Sequence, residues 1–170
     1  ATNDGGAGSA TLNIYVGNTV ASTADSGPGS LRDMIAAFPS GSTLIPAPGL
    51  SGQTVTLTSG ALLIDKNFTI DASGLADGLT ISGNNAHGVV RIISGATVEI
   101  RGLTIADGVT DSGGGIDNYG SLSLVDSTLR NNAADYGGGA VFNAGSLTVV
   151  NSTFFDNESF GYYGAGGAIY

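Results

Sequence analysis

The feature that most constrains this chain is an internal repeat. Gly120-Ser121-Leu122-Ser123-Leu124-Val125-Asp126-Ser127-Thr128-Leu129 returns at an offset of 25 as Gly145-Ser146-Leu147-Thr148-Val149-Val150-Asn151-Ser152-Thr153-Phe154. Upstream, Val98-Glu99-Ile100-Arg101-Gly102-Leu103-Thr104-Ile105 matches the first copy at an offset of 24, the same spacing that separates Gly113-Gly114-Gly115 from Gly137-Gly138-Gly139. Gly166-Gly167-Ala168-Ile169-Tyr170 follows Gly138-Gly139-Ala140-Val141-Phe142 at 28. A unit this short cannot bury an apolar face alone, so its copies must stack on one another as a solenoid.

The content of each unit says which solenoid. Apolar residues alternate over short runs, Val98 with Ile100, Leu103 with Ile105, Leu122 with Leu124, and no helical spacing spans a repeat. Gly, Ser, Thr and Asn fill the space where a leucine-rich or ankyrin unit needs a helix, so each unit reads as two or three short strands joined by turns. Five upstream segments read the same way: Val55-Thr56-Leu57, Leu62-Leu63-Ile64, Phe68-Thr69-Ile70, Leu79-Thr80-Ile81 and Val90-Arg91-Ile92. The 29 glycines of 170 residues supply tight turns at the corners, and their clustering excludes a collagen period. The expected fold is all-β, a parallel β-helix with a repeat of 24 to 25 per coil and Val, Ile and Leu in its inward rows. Asn131, Asn132 and Asn157 fall just after strands, where asparagine tolerates left-handed backbone and can ladder with its neighbours. Thr54, Thr56 and Thr58 make one threonine row, and no copy of it is expected in register in later coils, which argues against a water-ordering face.

Residues 1–45 differ and are expected to cap the coils of residues 46–170 within one domain. Residues 11–16 alternate like a strand. Ser30 and Asp33 form a variant capping box for a short helix whose apolar face is Leu31, Met34, Ile35 and Phe38, and Pro39 ends it. Such a helix plugs the first coil.

Charge excludes several functions. Five Lys and Arg against 14 Asp and Glu give a net charge of −9, and no basic patch exists, so nucleic acid is not an expected partner. No run approaches the ~18 apolar residues of a membrane span. The absence of cysteine removes disulfides, thiolate metal sites and cysteine nucleophiles. The start at Ala1-Thr2-Asn3-Asp4 reads as a mature terminus left by signal cleavage, hence an extracellular or cell-surface location.

Asp25-Ser26-Gly27-Pro28-Gly29-Ser30-Leu31-Arg32-Asp33, the stretch from Leu62 to Asp71, and the Gly-Gly-Gly and Gly-Ser-Leu units resemble secreted right-handed parallel β-helix proteins of bacterial cell surfaces. They are similar to the passenger regions of autotransporters and polymorphic outer-membrane adhesins. The resemblance runs from about Val20 onward and implies a right-handed coil and a cell-surface setting.

Candidate chemistry is thin. Asp107 with Asp111 and Asp156 with Glu158 are the carboxylate pairs a glycosidase would need, but each sits in a turn, where Asp is ordinarily a surface residue. His87, in Asn84-Asn85-Ala86-His87-Gly88, reads as a turn residue. Asp107, Asp111 and Asp117 flank one glycine corner, and solvated acidic turns account for them better than a calcium site. No catalytic residue, cofactor or metal is therefore expected. A polysaccharide lyase or hydrolase is the least favoured class.

The favoured function is a non-catalytic extracellular structural protein that self-associates head to tail into a filament. Its expected contact residues are Leu12, Ile14 and Tyr15 at one end, and Phe160, Tyr162, Tyr163, Ile169 and Tyr170 at the other. Seven of twelve aromatics fall in the last 29 residues, and an aromatic terminal coil is an open sheet edge. The alternative is a cell-surface adhesin or carbohydrate-binding β-helix with a glycan partner. Asn67, Asn151 and Asn157 head Asn-x-Ser/Thr sequons and are candidate glycosylation sites.

Overall fold

The computed structural model describes residues 17–161 and 166–170. The expected strand at residues 11–16 lies outside them. After β1 (Thr19–Val20) and the helix α1 (Leu31–Ala37), the chain enters regular coils. The first runs through β2 (Ser42–Pro46), a 3-10 turn at Pro48–Leu50, β3 (Thr54–Thr56) and β4 (Leu62–Ile64). The next contains β5 (Phe68–Asp71), β6 (Leu79–Ser82) and β7 (Val90–Ile92). A fourth short strand then joins the cross-section: β8 (Thr97–Arg101), β9 (Leu103–Ala106), β10 (Val109–Thr110) and β11 (Ile116–Asn118) make one coil. The following coil is β12 (Ser121–Val125), β13 (Thr128–Arg130), β14 (Ala133–Ala134) and β15 (Val141–Asn143). The last is β16 (Ser146–Val150), β17 (Thr153–Phe155) and β18 (Glu158–Ser159), after which Ile169 bridges to Val141.

Strands pair only with their equivalents one coil away, and every pairing is parallel. The first sheet, β1-β2-β5-β8-β12-β16, has six levels, which sets about six turns of solenoid. The second is β3-β6-β9-β13-β17, the third β4-β7-β11-β15, and the fourth, β10-β14-β18, exists only in the later coils. This is the parallel β-helix that the repeat predicts.

Register turns the alternation into a core. Leu44, Ile70, Ile100, Leu124 and Val149 align in the first sheet, Val55, Ile81, Ile105, Leu129 and Phe154 in the second, and Leu62, Val90, Ile116 and Val141 in the third. The inner members of these rows are buried, each at about 1.5–3 kcal/mol of burial per side chain. Helix α1 closes the first coil as its apolar face predicts. Ser30 caps it by accepting from the Asp33 amide at 3.2 Å, and Leu31, Met34 and Ile35 join the core, with Phe38 packed against it.

The corners show why the repeat tolerates Gly, Asp and Asn at the same place. Gly102, Asp126 and Asn151 occupy one corner in successive coils with φ of 64°, 48° and 49°, and Asp107, Asn131 and Asp156 another with φ of 53°, 53° and 52°. Asn and Asp are the side-chain-bearing residues that visit this left-handed region most readily. The ladder expected after the strands is present. Asn132 Nδ2 donates to Asn157 Oδ1 at 3.0 Å, and Asn157 Nδ2 to the Leu129 carbonyl at 2.9 Å.

The second sheet corrects the reading of the threonine row. Thr54 is followed in register by Thr80, Thr104, Thr128 and Thr153, a column of five that runs through the sheet. The neighbouring column, Thr56, Ser82, Ala106, Arg130 and Phe155, is not threonine. Successive threonines are offset by 26, 24, 24 and 25, so the longer upstream coil hides the first step.

Asp25 fastens the cap to the first coil. Its carboxylate accepts from the Ser59 hydroxyl and amide, from the Thr58 amide at 3.2 Å and from Arg32 Nη2 at 2.6 Å, while Arg32 also donates to the carbonyls of Gly60 and Ala61. Burial raises the Asp25 pKa, but the hydrogen bonds from Ser59, Arg32 and Thr58 and the Arg32 charge together drive it well below the usual carboxylate range. That contribution is complete above the unfolded value and fades as pH falls toward the folded one. Asp25→Ala is expected to cost about 2 kcal/mol at pH 7, where charge-assisted hydrogen bonds are lost. In urea titrations at pH 7 and pH 3 the gap to the parent should shrink at the lower pH; a gap independent of pH contradicts this account of the cap.

Candidate functional site

The third sheet carries the most varied chemistry on its outer face. Alternation places Leu63, Arg91, Asp117 and Phe142 in one outward column, one residue per coil. Beside this column lies a groove of about 360 Å3 lined by residues from three successive coils, among them Ala61, His87, Arg91, Val109, Asp111 and Asp117. Its volume falls within the roughly 300–1,000 Å3 range typical of ligand sites.

The groove sits where the cross-section changes. The coils before β8 lack a fourth-sheet strand, and β10 is the first of that sheet. In the earlier coil the corresponding stretch is the tight turn at 83–88, with Asn84 and Asn85 left-handed and the His87 amide bonded to the Gly83 carbonyl at 3.0 Å. The Val109 amide donates to the His87 carbonyl at 3.0 Å, which joins this turn to β10. Thr110 and Asp111 line one side of the groove, and Gly60 and Ala61 of the coil below line another.

Asp117 is the anomalous group. Its side chain is 12% exposed, Oδ2 lies 3.6 Å from Arg91 Nε, and Oδ1 is buried with no hydrogen-bond partner among the described residues. Burial pushes its carboxyl above the usual range, opposed by the Arg91 charge and by a hydrogen bond from Tyr119. The Arg91 guanidinium also lies over the Tyr119 ring, 5.4 Å from its centroid. Tyr119 lies 6.1 Å from the Phe142 ring, which stacks on Tyr170 at 5.8 Å, so a run of aromatic rings leads from Arg91 toward the last coil.

A raised carboxyl means the folded state holds its proton more tightly than the unfolded chain. Stability at this site therefore falls as pH rises from the ordinary carboxylate value through the folded one. Asp117→Asn removes that dependence and takes the charge out of the buried position. It should match or exceed the parent by about 1 kcal/mol at pH 7 and lose the advantage at pH 3, read by urea unfolding. A variant clearly less stable than the parent at pH 7 would show that the Arg91 contact outweighs the burial.

The residues singled out from the sequence separate here. His87, Asp111 and Asp117 come together at the groove. Asp107 does not: it holds a left-handed corner, accepts from Ser82 Oγ at 3.0 Å and lies 3.9 Å from Arg130. Asp156 holds the equivalent corner of the last coil, while Glu158 lies in β18. Among the described residues no group of three or more His, Asp or Glu is placed to hold a metal ion. Arg91 and Tyr119 are the site residues sequence reasoning passed over. Their only signals are that Arg91 takes the outward position of Val90-Arg91-Ile92 and that Tyr119 follows a strand.

The expected self-association residues divide between described and undescribed parts. Leu12, Ile14, Tyr15, Tyr162 and Tyr163 lie outside the described residues. Phe160, Ile169 and Tyr170 are exposed. Tyr170 stacks on Phe142, and its amide donates to the Val141 carbonyl at 3.0 Å. Of the sequon asparagines, Asn151 is exposed at a corner, Asn67 accepts from the Thr97 amide at 2.8 Å, and the Asn157 amide nitrogen is engaged in the ladder, where a glycan would have to displace it.

No helix among the described residues is long and apolar enough to cross a membrane. No curated protein and no solved structure gives a significant match to the chain. A family model described as "Right handed beta helix region" matches residues 63–168, more than half of the 170. Stacked parallel coils, inward apolar rows and this match together place the chain in the right-handed β-helix family.

Proposed function

We propose that the protein is a non-catalytic, extracellular β-helix that holds a glycan on its side face, in the manner of an adhesin or carbohydrate-binding module. The observation that carries the reading is the groove on the third sheet, where Asp117 keeps a buried, unpartnered oxygen beside Arg91. Native proteins rarely leave such a group unsatisfied, and ligand sites are where exceptions concentrate. The stacked coils provide a rigid scaffold for it.

The test is co-sedimentation with insoluble cellulose, xylan, chitin and mannan, beside a reducing-end assay. The parent chain should sediment with at least one polymer and release no sugar from it. Val109→Trp, which fills the groove from an exposed wall position, should stay in the supernatant. Retention of the Trp variant on the polymer, or steady release of reducing ends, would overturn the reading.

Head-to-tail self-association is the second reading, favoured by the last coil. Strand β16 repeats the alternation of β12, yet Val149 is 39% exposed where its partner Leu124 is buried, and Phe155 and Phe160 are exposed as well. Another β-coil of the same cross-section, supplied by a second copy, would cover that row. Electron microscopy at micromolar concentration should then show thin filaments, and Val149→Lys should abolish them. Monodisperse particles that do not grow with concentration would exclude this mode.

A further inference from the structure

We infer that residues 10–16 of this chain dock along the open edge of β4, in a groove between that strand and helix α1. β4 ends the third sheet, whose order is β15-β11-β7-β4. The Leu62 amide donates to the Val89 carbonyl at 2.8 Å, and the Ile64 carbonyl accepts from the Ile93 amide at 2.9 Å. Backbone groups alternate in direction along a strand, so the Leu63 N–H and C=O face the open edge. The Leu63 side chain is 54% exposed, the most of any large aliphatic side chain among the described residues. Beside it lies a groove of about 380 Å3 lined by Arg32, Ile35 and Ala36 of α1 and by Leu63, Asp65 and Lys66. Two cations tie α1 to the coil on either side of Leu63. Arg32 donates to the Gly60 and Ala61 carbonyls at 2.6 and 2.9 Å, and Lys66 Nζ to the Ala36 and Phe38 carbonyls at 3.1 and 2.9 Å.

The occupant follows from where the chain enters. Residues 10–16 lie outside the described residues, and Gly17 is the first described one. Asn18 is already seated on β2: its carbonyl accepts from the Ile45 amide at 3.0 Å, and its side-chain amide donates to the Thr43 carbonyl. β1 pairs with β2, and β2 with β5, at one offset of 26. Taken back two coils, that offset brings residues 10–12 over β4, with the end of α1 at the level between. Two levels are about 10 Å apart. Leu12, five residues before Gly17, has a reach of about 17 Å. The chemistry fits as well. Leu12, Ile14 and Val16 alternate with Thr11, Asn13 and Tyr15, and residues 5–16 carry no charge. An uncharged apolar strand covers Leu63, leaves Arg32 and Lys66 in their present bonds, and offers its backbone to the β4 edge. The contact is separate from the candidate glycan groove, with which it shares no lining residue.

The experiment is hydrogen exchange of the full chain and of Leu63→Asp, each at two protein concentrations. In the parent, the amides of residues 11–16 should exchange about tenfold or more slower than in an unstructured peptide of the same sequence, at a rate independent of concentration. Leu63→Asp should release them while β8 to β15 keep their protection, which separates lost docking from lost fold. The chain has no cysteine, so a short bismaleimide cross-link gives a second readout that spares Leu63. Asn13→Cys with Ala36→Cys should link within one chain, and Asn13→Cys with Ser146→Cys, in the last coil, should not. Unprotected amides in the parent, protection that survives Leu63→Asp, or no preference for the first cysteine pair would overturn the inference. Protection that rises with concentration would give the groove to a second copy and overturn docking within one chain.

Discussion

Gly108→Ala is expected to destabilise the protein by about 3 kcal/mol or more, one of the largest effects open to a single added methyl group. A Cβ at this position would sit 2.0 Å from the Gly114 carbonyl oxygen, 2.7 Å from its carbon and 2.9 Å from Asn132 Oδ1. Two of those three atoms are backbone, so no rotamer change relieves the clash. The coil must open, and opening it breaks the Gly108 amide bond to Asn132 and the Ala133 amide bond to the Gly108 carbonyl at 2.7 Å. Gly74→Ala is the matched control, because an added Cβ there meets nothing within 4 Å and the backbone is not left-handed. For a domain of this size 1 kcal/mol shifts Tm by about 2–4 °C, so Gly108→Ala should melt roughly 6–12 °C below the control. Equal melting temperatures would mean the glycine corner is looser than its geometry implies.

Asn132→Ala carries the second large effect, about 3 kcal/mol, through the polar ladder. Asn132 Oδ1 accepts from the Gly108 amide at 2.9 Å, and Nδ2 donates to the Ile105 carbonyl at 3.1 Å and to Asn157 Oδ1 at 3.0 Å. The side chain is fully buried, so its removal leaves the Gly108 amide without a partner and a void between coils. Asn131→Ala, at the exposed neighbouring corner, loses a left-handed preference and one long contact to Asp107, and should cost about 1 kcal/mol. The check is urea unfolding of both variants side by side. Asn132→Ala must prove the costlier; the reverse order would place the stabilisation in corner conformation and not in the ladder.

The fold was legible because the repeat writes the register directly. Leu147, the repeat copy of Leu122, is also its partner in space, and Leu122 in turn pairs with Val98, its own upstream copy. The helical cap was legible for local reasons, a serine N-cap and an apolar face that stops at a proline. Upstream the coils lengthen: Phe68 pairs with Val98 at an offset of 30, and Thr54 with Thr80 at 26, which is why the threonine column escapes a search at the shorter period. The candidate site was only partly readable. His87, Asp111 and Asp117 could be named as reactive residue types, but their convergence depends on the step where β10 enters the cross-section. Arg91 looks isolated in the sequence because its partners, Asp117 and Tyr119, are one coil away. A sequence period aligns coils, whereas which loop overhangs which depends on insert length, and that is geometry no local pattern carries.

If the side face, and not the coil end, is where this β-helix meets its ligand, the two regions must respond differently to saccharide. An NMR titration of the 15N-labelled chain with soluble oligosaccharides of the polymer that retains it tests this most directly. Shift changes should concentrate in the amides of residues 60–61, 86–91 and 109–119, with β16 to β18 unmoved. Shifts confined to β16 to β18, or broadening of the whole spectrum as particles grow with concentration, would contradict it.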